Sequence, residues 1–272
     1  MTEIFPIQEP ISKTVTHESE SDGHESPIHI SLRAETIFTI GNFPVTNSLI
    51  LAVIILVILS GAAALLKKRF SMIPGKMQVL IEMLLESFLD IMDTVLGERK
   101  KSEKYLPIVI TLFLFVLFSN WFGLLPGVGS LTAGPDHIPL FRAPSADLNF
   151  TIGLAIVAVM ASNIFGIIAL GFFKHASKFL SFKNPIAFFI GIIELVSEVA
   201  KMVSFSFRLF GNIFAGEVLL AIIGLLAPYI LPLPFLALEV FVGLIQAVIF
   251  SMLTIVFIAI AIADHSDEHS HA

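Results

Sequence analysis

NPIAFFIGIIELVSEVAKMVSFSFRLFGNIFAGEVLLAIIGLLA, running from Asn184 to Ala227, decides what kind of fold this chain takes. No strong helix breaker follows Pro185, and proline is tolerated at a helix start. As one helix the run of about 44 residues is about 66 Å long, at about 1.5 Å per residue. A hydrocarbon core is only about 30 Å thick. Such a helix must lie steeply tilted or project well beyond a bilayer. Pro228, Pro232 and Pro234 end it, and a second overlong apolar run follows from about Leu233 to Ala263. The two are expected to form a hairpin of long helices.

Composition agrees with that reading. Apolar residues make up 56% of the 272, charged residues 14%, and mean hydropathy is +0.91. A soluble domain carries about 25% charged residues, so this chain lacks the charge to cover a water-facing surface. There is no cysteine, which excludes disulfides, thiolate catalysis and cysteine zinc sites. The chain has no GxxxxGK[ST] loop, so no nucleotide is expected to bind here, and no nucleic-acid partner is expected.

Working outward from the hairpin, the chain divides into a polar N-terminal segment (1–46), one membrane domain (47–264) and a polar tail (265–272). The first 27 residues include HESESDGHES and read as an unstructured tail. They have no basic head followed by an apolar core, so they do not read as a signal peptide. Residues 28–46 alternate modestly and carry Gly41-Asn42, the mark of a small hairpin. Spans are expected at about 47–66, 105–126, 148–173, 184–227 and 233–263, each long enough to cross a bilayer. Between about 74 and 97, polar residues recur at Gln78, Glu82, Glu86, Asp90 and Asp93. That spacing describes an amphipathic surface helix. Its polar face is acidic where membrane-surface helices favour Lys and Arg, so protein neighbours are expected beside lipid. Basic clusters at Lys67–Arg69, Glu98–Lys104 and Lys174–Lys183 fall in alternate loops, which are expected inside. The loop 127–147 holds a single Lys or Arg, Arg142, and reads as external. The N-terminus is then outside and the C-terminus cytoplasmic. Ser145 or Asp147 is placed to cap the third span. The fold class expected is an all-α, multi-pass membrane protein with five transmembrane helices and one amphipathic surface helix.

The long fourth span holds the unusual residues. With Arg208 at zero on a helical wheel, Lys201, Ser204, Asn212 and Glu194 all fall within about 40° of it, while Glu217 falls near 180°. Glu217 is also about 13.5 Å along the axis. On the last span Glu239 and Gln246 share a face. A cation at bilayer depth costs about 2.5–3.5 kcal/mol on insertion scales. No acid stands three or four residues from Arg208. The simplest arrangement turns Glu217 towards Glu239 in a wet pocket and leaves Arg208 facing outward, towards something that supplies a carboxylate. Two carboxylates in one low-dielectric pocket do not both ionise cheaply, which suits groups that accept and release protons. Bland roles stand beside these: Glu198 and Lys201 are spaced to pair with each other, and Asn212 is equally suited to a plain interhelical hydrogen bond. His265, His269 and His271 read as part of a polar tail rather than a metal site.

RLFGNIFAGE (Arg208–Glu217) resembles the arginine block of subunit a of the F-type ATP synthase membrane sector, in its bacterial form. GNFPVTNS (Gly41–Ser48), SNWFGLLPG (Ser119–Gly127), PSADLN (Pro144–Asn149) and LIQAVIFSMLTIVFIAIA (Leu244–Ala261) extend the resemblance over about residues 28–263. The resemblance implies a non-catalytic stator subunit beside a rotor ring of c subunits, held with peripheral-stalk b subunits and the F1 sector in the bacterial inner membrane. It implies two offset proton half-channels and no cofactor. Arg208 matches the essential arginine that meets each ring carboxylate. Asn212, Glu217, Glu239 and Gln246 match polar positions of the half-channel open to the outside. Glu194, Lys201, Ser204 and Asp147 are weaker matches. Some bacterial members have His where this chain has Glu239, so the relay implied here is a dicarboxylate. A reading of a different class, a secondary transporter binding an anion at Arg208, would call for internal repeats and broken helices. Neither is evident in the sequence.

Overall fold

The computed structural model describes residues 34–41, 43–69, 75–125, 132–133, 138–139, 141–179, 185–227 and 229–263. The expectations for the N-terminal tail and for the histidines after Asp264 lie outside these residues. The described chain opens with a hairpin of β1 (Thr36–Ile40) and β2 (Phe43–Thr46), which turns at Gly41 with φ of 63°. Helix α1 (Asn47–Arg69) follows, then α2 (Lys76–Leu96) and α3 (Arg99–Gly123). A two-strand ribbon, β3 (Thr132–Ala133) and β4 (Ile138–Pro139), and a 3-10 turn at Pro144–Ala146 lead into α4 (Leu148–Leu170). Helices α5 (Phe172–Phe179), α6 (Pro185–Leu226) and α7 (Pro232–Ile262) complete it.

The protein is an all-α, multi-pass membrane protein. Helices α1, α3, α4, α6 and α7 are long and apolar enough to cross a membrane. Large apolar side chains such as Val57, Met160, Phe189 and Ile193 are exposed, as expected where lipid rather than water is the solvent. The core lies where α3, α4, α6 and α7 meet, around Val116, Ala158, Leu209, Ala247 and Phe250. Phe205 of α6 packs its ring 4.4 Å from Phe250 and 5.1 Å from Phe257 of α7, centroid to centroid.

Two boundaries differ from the sequence reading. Helix α3 begins at Arg99, about a turn and a half before the apolar span, and runs through Pro107. Hydropathy marks where lipid begins, not where the helix begins, and charged residues are good helix formers in water. The third span, expected to reach residue 173, stops at Leu170 because Gly171 takes φ of 85°. The basic stretch beyond it is not loop throughout: Phe172–Phe179 forms α5. Helix α2 lies within the expected surface segment and buries Phe88, Leu89 and Met92. Phe88 meets Phe113 of α3 at 4.8 Å.

Candidate functional site

The orientation of α6 follows from its apolar stripe. Phe205, Leu209 and Ile213 recur every four residues and are buried. Ser206, on the same inward side, shares a 3.0 Å hydrogen bond with Thr151 of α4. With those residues turned in, Ser204, Arg208 and Gly211 are left on the exposed side. Among the described residues no carboxylate lies within ion-pair distance of Arg208, and its side chain makes no hydrogen bond. A guanidinium at the middle of a long apolar helix is therefore presented outward without a counter-ion among the described residues.

One helical turn on, Asn212 sits at the edge of that exposed face and reaches across to α7. Its Nδ2 donates to Gln246 Oε1 at 2.7 Å. Gln246 itself is buried. A further turn on, Gly216 meets Glu239. A Cβ on Gly216 would land on the carboxylate of Glu239, so only glycine lets α6 approach this side chain so closely. Glu239 is buried, and its Oε1 accepts no hydrogen bond among the described residues. Two side chains of α3 hold α7 in place beside it. Trp121 Nε1 donates to the carbonyl of Val240 at 3.0 Å, and Asn120 Nδ2 to that of Gly243 at 2.9 Å.

Glu217 has a partner that the sequence did not name. Gly216, one position earlier on α6, packs against Glu239, and Glu217 Oε2 accepts from Arg142 Nη2 at 3.4 Å. A helix turns about 100° per residue, so adjacent positions point in different directions. Arg142 received no role in the sequence reading. The available signal was that it is the one Lys or Arg in the loop 127–147, beside an intramembrane acid.

Towards the other end of α6 a second polar group assembles. Lys201 Nζ donates to Glu198 Oε1 at 2.7 Å, as their spacing predicts. Glu198 Oε2 also accepts from Asn163 Nδ2 at 3.2 Å, and Asn163 Oδ1 lies 3.1 Å from His175 Nε2 of α5. Glu194 lines the same cleft. The ammonium of Lys201 also stands 5.5 Å from the centre of the Phe257 ring. Asn163 and His175 were not singled out from the sequence, because a lone polar residue in an apolar helix carries no signal of its partner. Asp147 is buried and structural in geometry. It caps α4 by accepting from the Asn149 amide at 3.0 Å, and it accepts from Ser48 Oγ at 2.7 Å.

The polar residues of α6 thus lie in two groups on either side of Arg208. Lys201 is about 10.5 Å along the axis in one direction and Glu217 about 13.5 Å in the other. Fold and placement together define a multi-pass membrane protein whose two longest helices carry polar and charged groups within their apolar spans. The chain belongs to the family described as ATP synthase A chain, whose family model matches residues 45–259. It is similar to the ATP synthase subunit a of Moorella thermoacetica, with 34% identity over 234 residues, 86% of this chain and 99% of that one. The subunit a of Campylobacter jejuni subsp. doylei is 39% identical over 197 residues, 72% of this chain and 81% of the relative. That of Campylobacter concisus is 35% identical over 220 residues, 81% and 89% respectively.

Proposed function

We propose that this chain is the stator subunit a of a rotary F-type ATP synthase, and that it couples proton passage to rotation of a neighbouring ring of c subunits. The observation that carries the reading is Arg208, exposed on α6 with no acid of its own among the described residues. The occupant of that face must supply a carboxylate, since a lone cation in lipid is costly. A ring of subunits, each bearing one acid, supplies carboxylates in turn. Arg208 favours the ionised form of each and so discharges its proton. It also blocks direct leakage between the two polar groups.

The outer path runs past Glu217, Glu239, Asn212 and Gln246 towards Arg208. The inner path runs past Glu194, Glu198 and Lys201, with Ser204 facing the ring beside the arginine. The two are offset along α6, so a proton crosses only by riding the ring. Each charge that crosses carries about 2.3 kcal/mol per 100 mV of membrane potential. The chain has no catalytic site in this scheme. ATP chemistry belongs to the F1 sector, reached through the assembled complex and its peripheral-stalk b subunits. Alternating basic loops put the N-terminus outside and the C-terminus in the cytoplasm of a bacterial inner membrane. Helix α6 runs unbroken through Arg208, unlike the interrupted helices at the sites of secondary transporters.

The test is Arg208→Ala in the assembled complex. ATP-driven proton pumping into inside-out vesicles is expected to vanish, while subunit assembly and ATP hydrolysis by F1 persist. Coupled pumping that survives the substitution would refute the reading.

A further inference from the structure

Resting on the function proposed above, we infer that Arg142 is a positioning residue of the outer path: a fixed cation that holds Glu217 in place as its counter-ion. The geometry is that of a prepared contact. The Arg142 side chain is only 10% exposed, and it meets Glu217 across 75 positions of sequence. The loop that carries it is tied down on both sides. Asn47 Nδ2 donates to the carbonyl of Pro139 at 3.3 Å, three residues before it. Ala143, directly after it, packs on Gly123 so closely that a Cβ there would collide with the alanine methyl. Pro144, Ser145 and Ala146 are buried in the 3-10 turn, which packs against α6. Asp147 closes the segment through Ser48 and the start of α4. A loop needing only to connect α3 to α4 would not require these anchors. Fixed at both ends, it delivers the Arg142 guanidinium to the Glu217 carboxylate.

The consequence is a division of labour between the two acids. Glu217 has a cation to balance its charge. Glu239, packed against the neighbouring Gly216, forms no ion pair among the described residues and keeps a buried oxygen without a donor. The pair is therefore unlike in its surroundings: Glu217 is an entry group oriented by a cation, and Glu239 the acid beyond it. Without Arg142, Glu217 would lose both its balance and its aim.

The experiment uses membrane vesicles carrying the whole complex, stripped of F1 so that passive proton flux reports on the membrane sector. Arg142→Gln is expected to lower that flux on the order of tenfold, in the range that a lost hydrogen bond to a charged group costs. The amount of this chain in the membrane should stay unchanged. Arg142→Lys, which keeps the charge, should restore most of the flux. In a Glu217→Gln background, Arg142→Gln should cost little more, because the pair acts as a unit. Wild-type flux in Arg142→Gln would overturn the inference. So would a loss that Lys fails to restore, or one that tracks a fall in the amount of subunit. The outcomes separate this inference from the reading it rests on: normal flux in Arg142→Gln with pumping abolished by Arg208→Ala removes only the positioning role.

Discussion

Arg99 and Arg208 show two ways of keeping an arginine in this molecule. Arg99 stands where α2 meets α3, at the edge of the apolar region. Four carboxylates surround it: Glu86 at 2.7 Å, Asp93 at 3.0 Å, Asp90 at 3.4 Å and Glu103 at 3.8 Å. The acidic stripe of α2, which the sequence assigns to protein neighbours, is thus answered partly within the chain. Arg208 stands mid-helix in a long apolar span and has no such partner among the described residues. Among the described residues, the arginine at the edge of the apolar region is surrounded by acids, and the one in mid-span has none. Burial cost alone would distribute them the other way. The difference separates a cation that staples two helices together from one that the proposed function reserves for a partner.

The largest effect should come from making Arg208 resemble Arg99. Ser204→Glu places an acid four residues before it on the same exposed face, the favoured order for a helical ion pair. Arg208 would then be neutralised by its own helix. ATP-driven pumping is expected to fall to the level of Arg208→Ala, although no residue of the arginine block has changed. Pumping at half the wild-type rate or more would show that an uncommitted guanidinium is not what the motor needs.

A smaller effect is expected at Gly216→Ala. Removing a helical glycine favours the helix by roughly 0.5–1 kcal/mol, yet the new methyl group must displace the carboxylate of Glu239. Passive flux should drop several-fold while resistance of the chain to heat in detergent is kept or improved. Unchanged flux would mean that the close approach of α6 to Glu239 is packing without consequence for protons.

The smallest effect lies at Arg99. Ser102 and the Arg99 guanidinium hold the Asp93 carboxyl below the ordinary aspartate value. Its contribution is therefore fully present above that ordinary value and is lost as pH falls through the depressed one. Hydrogen exchange at the end of α2 should quicken over that acidic window, after correction for the intrinsic rate, and Asp93→Asn should abolish the change. Proton pumping near neutral pH should hardly respond to Asp93→Asn, in contrast to every substitution on α6. A large loss of pumping there would erase the distinction drawn between the two arginines.

Helix existence, the five candidate spans, the amphipathic character of α2 and the lack of a local acid for Arg208 were all legible in the residues. So were the Lys201–Glu198 pair and a cap at Ser145 or Asp147, which are contacts within one turn or one helix start; the structure assigns the cap to Asp147. Helix ends were read less well. The charged first turns of α3 and the break at Gly171 are set by backbone hydrogen bonding and by φ of 85°, and hydropathy reports neither.

The chain's own order of residues determined that this is a membrane protein with long paired helices and an isolated cation in one of them, because length, apolarity and near-neighbour charge are properties of a single segment. Only the packed structure decided that Glu217 meets Arg142, that Asn212 reaches Gln246, and that Glu239 lies against Gly216. Those contacts join segments 75, 34 and 23 positions apart. Which groups meet across such gaps depends on how each helix rolls to bury its stripe, and a roll of one residue, about 100°, exchanges one partner for another.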